Sequence, residues 1–357
     1  MIDQAYEKAK EVIRNCSTKQ GLFASGGKDG YRGVWARDSM ISMLGASLDK
    51  EFQEVFKKSL ITLKNTQSKK GQIPNAVLNG KVDYKSIDSS MWFIIGEYVY
   101  KKRFGSKLFR EHKESIGKAL VWLSYQDVGE DEMLEQLPTT DWQDAFPHRY
   151  GHTINTQALY YKVLKLSGKK RAARNLRKKV SKDKEDKLWA EHYYLPWRWK
   201  NHGMYKEMGD WFDSLGNLLA IVFGLANRKQ SKKILAYIEK KKINYPYAMK
   251  AIWPPIKKGS KGWQDYFQDC NAKNPDNYLN GGIWLFIGGF YVLALIKLKR
   301  FNDAEKELEK LAEANLKGNF PEWIHPKTKK NYGKLQAWNA GMYLLAYESL
   351  KRKKVLI

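Results

Sequence analysis

The sequence predicts an all-α fold, namely an (α/α)6 barrel or six-hairpin toroid that forms a single catalytic domain over residues 1-357. Three observations predict it. Apolar residues repeat at helical spacing in twelve segments. The segments alternate between apolar and amphipathic. The loops before alternate segments share one composition, an aromatic residue beside Asp, Asn or Glu.

The twelve predicted helices divide the chain into six pairs. They run Ile2–Cys16, Asp38–Leu48, Lys50–Asn65, Ser89–Arg103, Leu108–Gln126, Thr153–Leu166, Lys169–Leu188, Phe212–Gly224, Lys229–Glu239, Gly282–Leu298, Asn302–Asn315 and Leu335–Leu350. The even-numbered helices, such as Gly282–Leu298, are mostly apolar, whereas Asn302–Asn315 is charged on one face. Since inner helices are apolar all round and outer ones amphipathic, this alternation predicts an inner and an outer ring.

Composition limits the class of protein. The chain has 357 residues, 43% of them hydrophobic, which is enough to bury a large core. Only two cysteines are present, Cys16 and Cys270, so neither a disulfide framework nor a thiolate metal site is expected. The longest apolar run, Ile283–Ile296, is too short to span a membrane comfortably. These features predict a soluble cytoplasmic protein with no membrane partner.

The net charge of +26 comes from 64 basic and 38 acidic residues and raises the question of a nucleic-acid partner. Most of the basic residues are lysines spread over predicted surface helices. Clusters such as Lys169-Lys170-Arg171 contain no interleaved aromatic residues. We therefore expect solvated faces and nonspecific attraction to polyanions, not a specific nucleic-acid site. A homo-oligomer remains possible.

The stretch from Ser86 to Phe93 places a carboxylate, Asp88, where a mostly apolar helix begins. One interpretation is a helix N-cap, because Asp and Ser are favoured there. The other is a general acid, since a carboxyl between Ile87 and Trp92 would be partly desolvated and its pKa raised. The second interpretation requires another carboxylate elsewhere in the chain.

The loops before the predicted inner helices supply aromatic rings together with Asp, Asn or Glu side chains. Such sets suit carbohydrates, because rings cover the apolar face of a sugar and polar groups bind its hydroxyls. The candidate sugar-binding residues from these loops are Trp35, Arg37, Asp38, Trp92, Asp141, Trp142, Asp144, Asp213, Asn280, Trp284 and Trp323.

Glycosidic cleavage requires an acid and a second carboxylate that acts as nucleophile or base. The sequence favours Asp88 as the acid and Glu322 as its partner. Asp141, Asp144 and Asp213 remain competitors for either role.

The order of motifs resembles the alkaline/neutral invertase family, glycoside hydrolase family 100, over nearly the whole chain. The matching motifs are Arg37-Asp38, Asp88-Ser89-Ser90-Met91-Trp92, the run from Tyr150 to Leu159, Phe212–Asn217, Asn280-Gly281-Gly282-Ile283-Trp284, Pro321-Glu322-Trp323 and Gly333-Lys334-Leu335-Gln336.

This resemblance implies an (α/α)6 barrel and an inverting hydrolase of sucrose, with Asp88 as general acid and Glu322 as general base. It adds Gln157 and Gln336 to the substrate-binding residues, and it implies no cofactor. Asn155 stands where the family has Glu, so we expect Asn155→Glu to alter substrate preference more than stability.

Two alternatives to a sucrose hydrolase remain open. Thr140-Asp141-Trp142-Gln143-Asp144 is closer to the Asp-Trp-x-Asp element of amylo-α-1,6-glucosidases, which debranch α-glucans on the same barrel. A carbohydrate-binding protein without activity is the other alternative, although it would need neither Asp88 nor Glu322. No metal site is predicted, because His148 and His152 are four residues apart without an evident third ligand.

Overall fold

The helices of the protein follow the sequence prediction closely. The computed structural model describes residues 1–27, 30–183, 187–202 and 204–357. The helices in these ranges are α1 (Ile2–Cys16), α2 (Ala36–Ala46), α3 (Gln53–Asn65), α4 (Asp88–Phe104), α5 (Lys107–Glu111), α6 (Lys113–Ser124), α7 (Ile154–Leu166), α8 (Lys170–Lys182), α9 (Ser214–Phe223), α10 (Arg228–Lys240), α11 (Leu285–Lys297), α12 (Phe301–Gly318) and α13 (Ala337–Lys351).

Two predicted helices differ from the observed ones. The predicted helix Leu108–Gln126 is interrupted at His112, which separates α5 from α6. The ring of His112 lies 2.6 Å from the carboxylate of buried Glu97 on α4, and this contact holds the chain at the break. The predicted helix Lys169–Leu188 ends at Lys182, and residues 184–186 of that prediction lie outside the described residues.

Six of the helices close into a ring, as the alternation predicted. Helix α2 packs on α4, α4 on α7, α7 on α9, α9 on α11, α11 on α13, and α13 on α2. Outside this ring, α3 and α6 pack on α4, α8 packs on α7, α12 packs on α11 and α13, and α1 packs on α12 and α13. The fold is therefore a six-hairpin toroid.

Burial explains which helices are inside. Every residue of α11 from Leu285 to Ile296 is buried, so this helix has no face for solvent. In α8 only Ala173, Leu176 and Val180 are buried, and they line the single stripe that faces the ring. The inner ring thus forms the core, and charged outer faces surround it.

The ring closes through two glycines. A Cβ atom added to Gly45 on α2 would lie 1.9 Å from the carbonyl oxygen of Gly341 on α13. One added to Gly341 would lie 2.1 Å from the carbonyl oxygen of Ser42. The two backbones approach so closely that neither position has room for a side chain.

Short antiparallel strands precede several inner helices, although the sequence did not predict them. They are β1 (Val34–Trp35), β2 (Ala76–Leu78), β3 (Lys81–Asp83), β4 (His152–Thr153), β5 (Trp189–Ala190), β6 (Tyr193–Tyr194), β7 (Trp197–His202), β8 (Tyr205–Met208), β9 (Phe212–Asp213), β10 (Ile252–Trp253), β11 (Trp323–Ile324) and β12 (Asn331–Tyr332). The sheets are β1-β2-β3, β4-β7-β8, β5-β6, β9-β10 and β11-β12. They brace the loops that enter the inner helices, so those loops meet at one end of the ring.

Among the described residues, no helix combines the length and the apolar character needed to cross a membrane.

Candidate active site

Asp88 lies at the end of the ring where the inner helices begin. It is the first residue of α4, and its carboxylate does not cap the helix. Arg37 Nη1 donates to both carboxylate oxygens, at 3.1 and 3.0 Å, and the Ser86 hydroxyl donates to one of them. Burial raises the pKa of Asp88, and the Arg37 guanidinium opposes this rise. Asp88 is fully buried, so both of its oxygens serve Arg37 and Ser86.

Arg37 connects this buried carboxylate to a second, more accessible one. Its other terminal nitrogen, Nη2, lies 3.8 Å from Oδ2 of Asp144, whose side chain is 46% exposed. Although part of this side chain is exposed, the surrounding protein desolvates the Asp144 carboxyl and raises its pKa; the Arg37 charge lowers it, and the charge of Asp141 raises it. Asp144 therefore presents an accessible carboxyl of raised pKa, whereas Asp88 has the raised pKa that the sequence predicts for it but no exposed surface.

Glu322 lies in the loop that leads to α13. The hydroxyl of Tyr31 donates to Oε1 of Glu322 at 3.1 Å. Burial raises the pKa of Glu322 to about 7, the charge of Asp144 adds to this rise, and hydrogen bonds from Tyr31 and Tyr278 oppose it. Asp144 is thus a carboxylate whose charge raises the pKa of Glu322.

Gly333 leaves the space that the side chain of Glu322 occupies. Its backbone has φ +65°, in the left-handed region, and an added Cβ would lie 2.8 Å from Cβ of Glu322. The backbone N–H of Glu322 donates to the carbonyl oxygen of Tyr332 at 2.7 Å. A tight hairpin of β11 and β12 therefore holds the carboxylate in position.

Asp38 follows Arg37 on the first turn of α2 and is 8% exposed. Burial raises its pKa to about 7, the Arg37 charge lowers it, and the charge of Asp144 raises it further. Asp38 and Asp144 therefore lie near the same guanidinium, which makes Asp38 a third acidic group of this site.

Asp141 and Asp213 form a separate buried network around Arg149. Arg149 donates to Asp141 Oδ2 at 2.6 Å and to Asp213 Oδ2 at 2.5 Å, and all three side chains are at most 1% exposed. The remaining oxygens accept backbone N–H groups, from Gln143 at 2.9 Å and from Gly216 at 3.3 Å. Both carboxylates are therefore engaged in contacts within the protein.

Asn155 belongs to this network. It is 1% exposed, and its Nδ2 donates to Asp141 Oδ2 at 3.4 Å. The expectation that Asn155 mainly affects substrate preference presumed a contact with a sugar hydroxyl. Asn155 is buried beside the Asp141 carboxylate, which favours a structural role, and its effect on substrate preference stays a prediction.

Buried tryptophans line the interior next to these acids. Trp142 meets Trp284 edge-on, with ring centroids 5.8 Å apart, and both are at most 3% exposed. Trp323 stacks on Tyr332 at 4.0 Å, and Trp35 meets Tyr31 edge-on at 5.9 Å. Tyr31 and Tyr332 border Glu322, so Trp35 and Trp323 lie next to the candidate base.

Three predicted sugar-binding residues make close contacts within the protein, and their roles stay predictions. Trp92 is 1% exposed and packs edge-on against Phe223, at the far end of α9. The side-chain amide of Gln157 forms two hydrogen bonds with the backbone of Leu134. Its Oε1 accepts from the N–H, and its Nε2 donates to the carbonyl oxygen. The side-chain amide of Asn280 forms hydrogen bonds with the backbone of Ile256 and of Ala272. Gln336, by contrast, lines a cavity of about 380 Å³ together with Glu322.

The sequence analysis missed four contributors to the site. Tyr31 and Tyr278 flank Glu322, Ser86 holds Asp88, and Arg149 joins Asp141 to Asp213. All four lie in the loops or stretches that were singled out. The signal that would have found them is a buried charge in need of a partner, since isolated buried carboxylates require a donor or a cation.

A larger open cleft of about 910 Å³ lies beside the loop from Thr139 to Tyr150. Ser86 and Thr140 border it, next to Asp88 and Asp141 respectively. Its aromatic lining comes from Tyr84, Trp122, His148, Tyr150 and Trp199. This volume is in the upper range of small-ligand sites.

The two histidines four residues apart do not form a pair. His148 Nδ1 lies 2.8 Å from the hydroxyl of Tyr266, whereas His152 lies beside Asp131 and Glu135.

Comparison with known families gives a match over most of the chain. Residues 7–344 match the family described as amylo-alpha-1,6-glucosidase. The chain is 25% identical over 330 residues to the probable chloroplastic alkaline/neutral invertase A of Arabidopsis thaliana, covering 75% of this chain and 52% of that protein. It is 24% identical over 316 residues to the mitochondrial neutral/alkaline invertase 1 of Oryza sativa subsp. japonica, covering 72% and 50%.

These two relatives limit what carries over to this protein. The chain spans about half the length of either one. Their names place one in the chloroplast and the other in the mitochondrion, so the cytoplasmic location of this chain stays a prediction.

Solved structures share the fold at low sequence identity. The GH63 mannosylglycerate hydrolase from Thermus thermophilus, in complex with Tris and D-glycerate, has a TM-score of 0.72 and 12% identity, covering 95% of this chain and 99% of that one. A structure described as a wild-type glycosidase has a TM-score of 0.65 and 16% identity, covering 98% and 97%. Both confirm the six-hairpin toroid.

Proposed function

The chain belongs to the amylo-alpha-1,6-glucosidase family, and we propose that it is an inverting glycoside hydrolase that cleaves an α-glucosidic bond. One observation carries the proposal. Asp144 and Glu322 are two carboxyls of raised pKa at the end of the ring where the inner helices begin, and the charge of Asp144 reaches Glu322. Glycosidic hydrolysis uses such a pair, one as acid and one as base.

Glu322 is the general base in this proposal. With a pKa of about 7 it is largely ionised above neutral pH and is a stronger base than an ordinary carboxylate. The hydroxyls of Tyr31 and Tyr278 donate to this carboxylate. A carboxylate has about four acceptor positions, so one remains to accept a proton from water. That water attacks the anomeric carbon.

Asp144 is the general acid in this proposal, in place of the Asp88 that the sequence favoured. A general acid must reach the leaving oxygen, and Asp144 has an accessible side chain whereas Asp88 has none. Asp88 acts as a positioning residue, because its bonds to Arg37 Nη1 hold Nη2 of the same guanidinium 3.8 Å from Asp144.

The arrangement of the ring favours inversion. Asp144 precedes α7 and Glu322 precedes α13, and these helices lie opposite each other in the ring of six. Carboxyls on opposite sides leave room for a water, as in inverting enzymes, whose carboxyls are about 6.5–9.5 Å apart. In this proposal Arg37 and Asp38 bind hydroxyls of the sugar that lies between Asp144 and Glu322.

Sucrose is the substrate that we propose first. Both curated relatives described above carry the name invertase, and the motifs around Asp88, Asp213 and Glu322 resemble that family.

Stubs of α-1,6-linked glucose are the second candidate, because the matched family is named for that activity. The cleft of about 910 Å³ beside the Asp144 loop offers room for a glucan chain.

The deciding experiment is incubation with sucrose, maltose, isomaltose and a branched dextrin, followed by identification of the monosaccharides released. Glucose and fructose from sucrose would support the first candidate, and glucose from isomaltose or the dextrin the second. If the folded protein released no monosaccharide but still bound these sugars, it would be a carbohydrate-binding protein and the proposed activity would be wrong.

A further inference from the structure

We propose that Asp131, Glu135 and His152 form a binding site for a divalent transition-metal ion, apart from the candidate catalytic carboxylates. Asp131 and Glu135 lie in the loop after α6, and His152 begins strand β4. One ligand atom from each residue lies within 4.8 Å of the other two. The site does not depend on the proposed activity.

His152 is the residue that points to a ligand. It is 4% exposed, yet neither ring nitrogen has a hydrogen-bond partner. Its Nε2 lies 3.4 Å from Glu135 Oε1 and 3.7 Å from Asp131 Oδ2, outside hydrogen-bond geometry for both. A buried polar atom without a partner costs free energy, and an ion between these three atoms would remove that cost.

The separations fit an ion better than they fit direct bonds. Ligand atoms about 2.0–2.2 Å from a zinc ion in tetrahedral geometry lie about 3.3–3.6 Å from one another. The observed 3.4 Å lies within this range and 3.7 Å just above it, and the carboxylates of Asp131 and Glu135, within 4.8 Å of each other, would move together to complete the site.

Backbone groups orient both carboxylates towards this point. Glu135 accepts the N–H of Gly129 at 3.0 Å and that of Val128 at 2.7 Å. Asp131 accepts the N–H of Met133 at 2.8 Å through Oδ1, which leaves Oδ2 facing His152. Outer hydrogen bonds of this kind fix metal ligands in place.

The charges around the site favour a cation. Asp127 accepts the N–H groups of Asp131 and Glu132, so a further carboxylate lies beside the proposed ligands. The facing cation is Lys179 on α8, 4.0 Å from Asp131 Oδ2 and 29% exposed. Lys179 competes with a metal ion for Asp131, but its long side chain can turn towards solvent.

The ligand set selects the class of ion. Imidazole suits zinc, copper, nickel and iron, whereas calcium and magnesium prefer oxygen ligands alone. One histidine with two carboxylates therefore favours zinc over calcium.

Such an ion would join the two ends of the segment that holds the candidate acid. Residues 131 and 135 lie before Asp141 and Asp144, and His152 lies after them. The backbones of Gln136 and Gly151 already pair there, at 3.0 and 2.9 Å. The ion would reinforce this closure and stabilise the loop.

The test is calorimetric titration of the chelator-treated full chain with zinc chloride. We expect one saturable site per chain and a rise in the midpoint of thermal unfolding, because the ion binds the folded state. His152→Asn should weaken binding at least tenfold. His148→Asn is the matched control, since it removes a histidine of the same segment outside the cluster, and it should leave the affinity unchanged. Lys179→Met should tighten binding by removing the competing cation.

Other results would overturn the proposal. They are the absence of saturable zinc uptake by the wild-type chain, unchanged affinity in His152→Asn, an equal loss in His148→Asn, or calcium bound more tightly than zinc. If His152→Asn failed to fold, Glu135→Gln would take its place and should weaken binding at least tenfold. Unchanged zinc affinity in that variant would also overturn the proposal.

Discussion

The hydroxyl of Tyr31 lies 3.1 Å from Oε1 of Glu322, although 291 positions of sequence separate the two residues. This donor stabilises the ionised form of the carboxyl and lowers its pKa, whereas burial raises it. Burial dominates, and the resulting pKa of about 7 makes the protonation of Glu322 sensitive to pH in the neutral range.

The pH profile of the wild-type enzyme should follow Glu322. A base is active only when ionised, so kcat/KM should fall about tenfold per pH unit as the pH drops below about 7. The measurement is kcat/KM on the best substrate from pH 4 to 9. An ordinary carboxylate base would keep the rate level down to about pH 4.5, which would contradict the assigned environment.

Tyr31→Phe should move the acidic limb of the pH profile, where kcat/KM falls, to higher pH. The change removes the hydrogen bond that lowers the pKa of Glu322, so the carboxyl stays protonated over a wider range. The same kcat/KM series gives the midpoint. Tyr245→Phe, at a residue 64% exposed, is the control and should leave the midpoint where it was. A shift to lower pH in Tyr31→Phe would mean that the hydroxyl does not serve the carboxylate.

Asp144→Asn and Glu322→Gln should each lower turnover by about two to four orders of magnitude, the usual effect of losing a general acid or base. The two variants should differ on α-glucosyl fluoride, whose leaving group needs no proton. Asp144→Asn should recover most of its turnover there, and Glu322→Gln should not. Recovery in Asp88→Asn instead of Asp144→Asn would return the acid role to Asp88.

The first sugar released should be β-glucose. A single displacement by water at an α-glucosidic bond inverts the anomeric centre. Proton NMR in the first minutes, before mutarotation, reports the ratio of anomers. An early excess of α-glucose would indicate a covalent intermediate, and Glu322 would then be a nucleophile.

Asn155→Asp should destabilise the fold more than it changes substrate preference. The variant replaces a buried donor to Asp141 by a second carboxylate, so a hydrogen bond is lost and a like charge added. We expect a loss of about 1–3 kcal/mol in the free energy of unfolding, measured with denaturant. An unchanged midpoint, together with an altered ratio of sucrose to isomaltose hydrolysis, would support a substrate contact instead.

The helices were predictable because long segments carry a clear 3.6-residue period. Helix α1 was predicted residue for residue, since its buried positions Ala5, Ala9 and Val12 lie on one stripe. Strands β4 and β9 are two residues long and show no period at all. The interruption at His112 depends on Glu97, a partner fifteen positions away, which local spacing cannot reveal.

The site was predictable in its chemistry and less so in its geometry. Loop composition identified Asp144 and Glu322 among the acidic candidates, because carboxyl and aromatic side chains cluster in the loops before the inner helices. It could not tell that Asp88 faces inward, since that orientation depends on Arg37, 51 positions away. Burial and ion pairing are properties of the assembled ring, and they decide which of several carboxyls a substrate can reach.

The glycine contact between α2 and α13 also has a consequence for the order of folding. Ser42 and Gly45 on α2 pack on Gly341 of α13. Helix α2 therefore leaves the ribosome long before its packing partner α13 is synthesised. Synthesis proceeds at about 5–20 residues per second, so one side of α2 stays uncovered for many seconds. Contacts this distant in sequence also form slowly. A newly made chain is therefore most prone to aggregate before α13 emerges, and chaperones that shield apolar helices would act in that interval.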